Sequence, residues 1–154
     1  MNYWLMKTEP GVYSIDDLRR DGHTAWEGVR NFQARNFLRD AIKKGDEVLF
    51  YHSNAEPSGV AGTGRIKKEG TPDSSALDKK DIHFDSRSTR EKPIWFMVDV
   101  EFTGKFKNFI PLEALKSKKK LSGMLVTQRG SRLSVQPVTR DHFETVVRMG
   151  QGQS

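Results

Sequence analysis

Trp26, Arg30, Asn31 and Arg35 fall within one short stretch, WEGVRNFQARNFLR. Their side chains are the kinds that hold a flat-ringed, phosphate-bearing molecule. An indole offers a stacking face, and guanidinium groups offer forked donors to phosphate oxygens. A helix N-terminus adds unpaired N–H groups and partial positive charge. The spacing predicts such a helix, because Ala34, Phe37, Leu38, Ala41 and Ile42 recur at i, i+3, i+4, i+7 and i+8 and make one apolar face. Asn31 is placed as its N-cap, and Lys43, Lys44 and Gly45 supply a cationic last turn and a glycine stop. Gly28 puts Trp26 in a loop just upstream, a poor place to bury a ring for stability alone. The chemistry pointed to is recognition of a nucleotide.

Other chemistries find less support. The four histidines, His23, His52, His83 and His142, have neither ligand spacing nor cysteine neighbours, so no metal site is expected. His52 and Ser53 are adjacent, but successive strand residues point to opposite faces and cannot form a nucleophile–base pair directly. No G-x-S-x-G elbow occurs, and Gly62-Thr63-Gly64 is too short for a phosphate-binding fingerprint. Asp99 and Glu101 share a strand face, which a solvated edge explains more often than acid–base work does. The chain does not read as an enzyme.

Of the three tryptophans, Trp4 sits in an apolar strand and reads as core. Trp95 lies on a strand face that later carries Asp99 and Glu101, where it could line a cavity mouth. Arg132, Ser134 and Gln136 share another face. Aromatic walls with such hydrogen-bonding side chains are how proteins hold a base outside its stack. The run Lys116, Lys118, Lys119 and Lys120 is either a solvated face or a phosphate contact.

The elements that must position these groups follow from patterning. Tyr3 to Lys7, Asp46 to Ser53, Gly59 to Lys67, Ile94 to Phe102 and Ser131 to Gln136 read as strands. Val60, Gly62, Gly64 and Ile66 share one face, and glycines there mark close approach by a backbone or a ligand. Short helices are expected from Ser14, with an S-x-x-D capping box to Asp17, from Pro111, and after Thr139 with Phe143, Val146 and Val147 buried. Gly70 to Pro93 is one long irregular connection, the kind that is functional or disordered, with room for a short helix around Leu77 to Asp81. Strands with intercalated short helices, lacking regular βαβ alternation, indicate an α+β or small-barrel fold. A curled sheet of that kind makes a concave mouth for a small aromatic ligand.

Composition bounds the partner. The 154 residues carry 26 Lys and Arg against 20 acidic residues, a net charge of +6 compatible with a polyanion. They are expected to form a single domain, 1–154. There is no cysteine, which excludes disulfides and thiolate metal sites. The longest apolar run, Ile94 to Val98, is too short to span a bilayer, and the start of the chain lacks the features of a secretory signal. The expectation is a cytoplasmic protein without membrane contact.

The segments YWLMKTEP, YSIDDL, WEGVRNFQARNFLR, GDEVLFYHS, GVAG, IWFMVDV and RLSVQPVT together resemble the EVE domain family, from Tyr3 to about Val147. The resemblance implies a PUA-like pseudobarrel of five to six mostly antiparallel strands with flanking short helices, akin to the PUA, ASCH and YTH domains. It implies non-enzymatic, cofactor-free reading of modified bases in nucleic acid, chiefly modified cytosine in DNA, by flipping the base into an aromatic-lined pocket. Carried over by position, that pocket would use Lys7, Trp26, Val29, Asn31, His52 and Ser53, with Trp95 as a second wall. Arg30, Arg35, Arg132 and Gln136 would meet the nucleic-acid backbone. DNA is expected in preference to RNA, and the protein as a monomer or weak dimer. The alternatives are an RNA or tRNA binding module, or an enzyme acting on a nucleotide-like small substrate.

Overall fold

In the first strand, β1 (Tyr3–Thr8), Trp4 and Met6 face one apolar cluster and Leu5 faces another, the period of two that a strand imposes. Both faces are therefore covered, which is why its sequence reads as a continuous apolar run. The same holds for β3 (Glu47–His52), where Val48 and Phe50 join one cluster and Leu49 and Tyr51 the other. These two strands lie parallel at the heart of the sheet, with Leu5 opposite Leu49.

The structure, a computed structural model, describes residues 1–152, so the expected domain span of 1–154 runs past the described residues at its end. Its sheet has six strands in the order β2-β5-β4-β3-β1-β6. The others are β2 (His23–Trp26), β4 (Gly59–Pro72), β5 (Phe96–Pro111) and β6 (Val135–Val138). Every pairing except β1–β3 is antiparallel. The sheet is mixed, as expected of the fold class, but it is not closed: β2 and β6 are its two edges.

Helices cover each face. Ile15 and Leu18 of α1 (Ile15–Asp21), Ala34 of α2 (Phe32–Asn36) and Leu38 pack into the cluster holding Trp4 and Met6. Leu115 of α3 (Leu112–Ser117), with Phe143 and Val146 of α4 (Arg140–Gly150), packs into the cluster holding Leu5. The Ser14–Asp17 capping box forms in both directions, and Thr139 caps α4 by accepting from the His142 N–H.

Several expected elements are corrected. The helix beginning at Asn31 changes register after Asn36, and Phe37–Ala41 form a π turn in which the Ile42 N–H donates to the Phe37 carbonyl. Its buried face is nonetheless the expected one, with Ala34, Leu38 and Ile42 all inside. Gly45, at φ 92°, turns the chain into β3 and its N–H donates to the Ile66 carbonyl, so it does not cap that helix. The strand expected from Ser131 begins only at Val135. β5 runs on to Pro111 and β4 to Pro72, well past their apolar stretches, because the polar end of each pairs with the start of the other. The short helix expected around Leu77 to Asp81 lies just upstream, as a 3-10 turn at Ser74–Leu77. In β4 the alternation breaks between Val60 and Gly62, where a bulge leaves Ala61 buried too. A side chain at Gly62 would run into the Gly104 carbonyl of β5. The close approach marked by that glycine is therefore backbone against backbone.

Candidate functional site

Trp26 is not in a loop. It is the last residue of β2, paired with Val98 of β5, and its indole packs edge-on to Phe50 at 5.6 Å and 85°. The ring is 8% exposed. Its strand is one edge of the open sheet. Beside it lies a hollow of about 420 Å³, within the size range of small-ligand sites. Thr24, Ala25 and Trp26 form one wall, Lys7, Thr8 and Ser134 the other, and Glu27, Gly28, Val29 and Arg30 close one end. The opposed wall is fixed by a backbone hydrogen bond from Lys7 N–H to the Ser134 carbonyl at 2.9 Å.

Lys7, Trp26 and Val29, all expected in a base pocket, do share this hollow, and Arg30 joins them. Lys7 occupies a junction, since it also lines a neighbouring hollow of about 630 Å³ with Ser53, Arg132 and Ser134. A third of about 720 Å³ places it near Lys116 and Arg129. Desolvation lowers the pKa of its ammonium, and its Nζ stands 5.6 Å from the Tyr51 ring centroid. A cation whose water is partly stripped away is ready to exchange what remains for an anion.

Four of the expected residues stand elsewhere or are already engaged. The Asn31 side chain accepts from the Ala34 N–H at 3.0 Å as a helix cap. That use, and the shortness of α2, remove the helix terminus as a phosphate seat. His52 accepts the Ile15 N–H on its Nε2 at 3.1 Å, so it holds the start of α1 as a neutral ring. Burial lowers its pKa first of all, with Lys105 acting the same way and Asp16 against it. Trp95, just ahead of β5, is buried outside the hollow. Its ring stacks on Phe32 at 4.9 Å, its Nε1–H donates to Asp85 at 2.8 Å, and the Arg30 guanidinium lies 5.2 Å from its centroid. Gln136 is turned inward, 1% exposed, donating to the Leu133 carbonyl and the Ser131 hydroxyl. The lone pairs and N–H groups expected to face a ligand are thus spent within the fold.

The arginines are also committed. Arg30 pairs with buried Asp73 at 3.0 Å and donates to Ser75 and to the Val29 and His83 carbonyls. Arg35 donates to the Ile94 carbonyl at 2.6 Å and lies over the Phe32 ring at 5.0 Å. Arg30 fastens the long 73–95 segment to the WEGVRN turn, and Arg35 fastens its end to α2. Asp73 completes the attachment by accepting the Gly28 N–H at 2.8 Å. Burial pushes its carboxyl upward, but bonds from Ser75, Gly28 and Arg30 outweigh that and leave its pKa low. The result carries His83 to the rim of the hollow, against the Cα of Gly28.

Glu27, Tyr13, Thr24, Ser134 and His83 line the hollow as well. Glu27 belongs to the WEGVRN motif itself and was within reach of the sequence; His83 was not, because only the Arg30 and Asp73 contacts bring it there.

The comparisons with known proteins agree with one another. A family model described as the EVE domain matches residues 2–149. Thymocyte nuclear protein 1 of Gallus gallus is 44% identical over 164 residues, covering 94% of this chain and 67% of that protein. A crystal structure of a protein from Pseudomonas syringae is 45% identical with a TM-score of 0.91, covering 96% of this chain and 99% of that one. The human THYN1 protein, crystallised in complex with DNA containing 5-methylcytosine, is 42% identical with a TM-score of 0.90 over 100% of each chain.

Proposed function

The chain belongs to the EVE domain family, and on that premise we propose that it binds DNA carrying a modified cytosine, without cofactor or catalysis. The modified base turns out of the duplex into the hollow lined by Trp26 and Val29. The observation that carries this reading is the likeness, over the whole chain, to a human protein that holds 5-methylcytosine DNA.

The hollow has features suited to the role. Extruding a base costs a few kcal/mol, and contact with an aromatic surface returns roughly 1–3 kcal/mol. Trp26 and Val29 supply apolar wall on which a 5-methyl group gains contact, while Lys7 stands where a sugar-phosphate backbone would pass into the adjoining hollow with Ser53 and Arg132. With Arg30, Arg35, Asn31 and Gln136 already bonded inside the fold, Lys7 and Arg132 carry the backbone contact.

Fluorescence anisotropy tests the reading, using duplexes alike except for cytosine, 5-methylcytosine or 5-hydroxymethylcytosine at one position, at fixed salt, with a single-stranded RNA control. Tighter binding to a modified duplex supports it, and Trp26→Phe then weakens that preference. Equal binding to all duplexes, or a preference for the RNA, overturns it.

A further inference from the structure

Glu27 contributes the carboxylate of the hollow, and among the described residues no hydrogen bond or ion pair uses it. Its acidic neighbours are bonded: Asp73 to Arg30, Gly28 and Ser75, Asp81 to His83. The nearby guanidinium of Arg30 is spent on Asp73, Ser75 and two carbonyls. Among the described residues no side chain or backbone N–H is bonded to Glu27, an exposed side chain at the rim, although Lys7 lines the same hollow. Desolvation against the walls, then the charges of Asp73 and Asp81, push its carboxyl above the usual range, with His83 and Arg30 pulling the other way. A carboxylate so placed has no bonded partner in the protein, and an incoming ligand can bring one in exchange for water.

The chemistry of the base says which. 5-Methylcytosine and thymine carry the same 5-methyl group and offer nearly the same face for stacking. They differ at position 4, an amine donor in one and a carbonyl acceptor in the other, and at N3, an acceptor in one and a donor in the other. An apolar wall and an indole cannot separate them. A carboxylate oxygen set opposite position 4 can, because there it accepts from the cytosine amine and meets the thymine carbonyl lone pair to lone pair.

We propose that Glu27 reads the Watson–Crick edge of the extruded base, accepting from the 4-amino group of cytosine and so excluding thymine. The inference rests on the base-flipping reading above and adds a specificity residue to it. Discrimination between one satisfied polar edge and one mismatched edge is about ten- to a hundredfold.

The test compares wild type, Glu27→Gln and Glu27→Ala by anisotropy on three duplexes differing at one position: 5-methylcytosine opposite guanine, thymine opposite guanine, and cytosine opposite guanine. The mismatched thymine leaves its stack more easily, so a protein blind to position 4 would favour it. Wild type should prefer 5-methylcytosine over thymine by about tenfold or more. Glu27→Gln should bring the two within about threefold, since an amide can turn its NH2 toward the thymine carbonyl. Glu27→Ala should lose the preference too, and matching thermal melts show that each variant is folded. A Glu27→Gln protein that keeps the wild-type ratio overturns the role of Glu27 and leaves the flipping reading intact. A wild-type protein that binds all three duplexes equally overturns both.

Discussion

Arg30 and Asp73 meet at 3.0 Å across more than forty residues of chain, the carboxylate fully buried and the guanidinium about one quarter exposed. This pair joins the turn after Trp26 to the segment that runs from the end of β4 to the start of β5. Asp73 also accepts from the Gly28 N–H, so one side chain fixes both the backbone of the WEGVRN turn and the guanidinium that crosses it. The rim of the hollow is built by that attachment.

Asp73→Asn should therefore loosen the rim before it unfolds the core. Losing charged hydrogen bonds of this kind costs roughly 1.5–3 kcal/mol. Thermal melting should show the loss, and hydrogen exchange should rise in 74–93 while β1 and β3 stay protected. The acid limb carries the same signature. Asp73 titrates below its ordinary value when folded, so its contribution is present above the unfolded carboxylate pKa near 4. It fades as pH falls through the folded value. The variant should lose less stability than wild type between pH 5 and pH 2.

His52 has a dependence of the same sign in a higher pH window. Its folded pKa is lowered, because a ring that accepts the Ile15 N–H must stay neutral and is partly desolvated. The unfolded state then takes up the proton first. The stability that this ring contributes is fully present above about pH 6.5 and declines as pH falls from there to the lower folded value. Gln can accept the same N–H without titrating. Urea unfolding at pH 7.5 and pH 5.5 should show His52→Gln losing less stability over that interval than wild type; an equal loss would remove His52 from the account.

The core and most of the sheet were legible in the sequence because their signal is local. Trp4, Leu5 and Met6 alternate between two apolar clusters, and the 3.6-residue period placed Ala34, Leu38 and Ile42 inside. β2 was not legible, since the four residues His23–Trp26 have no alternation of their own and become a strand by pairing with β5. That pairing converts Trp26 from a loop residue into the edge wall of the hollow. The site was half legible. Lys7, Trp26 and Val29 come together as expected, whereas Asn31, His52 and Gln136 have the right hydrogen-bonding chemistry but spend it on Ala34, Ile15 and Leu133. A sequence shows what a side chain can donate or accept; which partner claims it depends on chain tens of residues away.

Gly28 holds two constraints at once. Its φ is 81°, and a Cβ there would stand 2.8 Å from the His83 ring. Gly28→Ala should cost about 1–3 kcal/mol for the backbone alone and push His83 off the rim. A melt measures the first effect. DNA anisotropy measures the second, and a variant destabilised in that range with unchanged affinity would show that His83 has no part in binding.

Lys7 separates an electrostatic role from a base-reading one. It lies where three hollows meet, and its lowered pKa reflects desolvation rather than a partner in the fold. Removing its charge should therefore do little harm to folding, because no ion pair is broken and a desolvation cost disappears. Binding should respond differently. If Lys7 neutralises a phosphate, Lys7→Gln weakens every duplex by a similar factor and lowers the slope of log K against log salt by about one. The preference for a modified base stays as it was. If Lys7 touches the base instead, the preference falls and the salt slope holds. Titrations at several salt concentrations, on modified and unmodified duplexes, distinguish the two, and the open junction at which Lys7 stands makes the first the expected result.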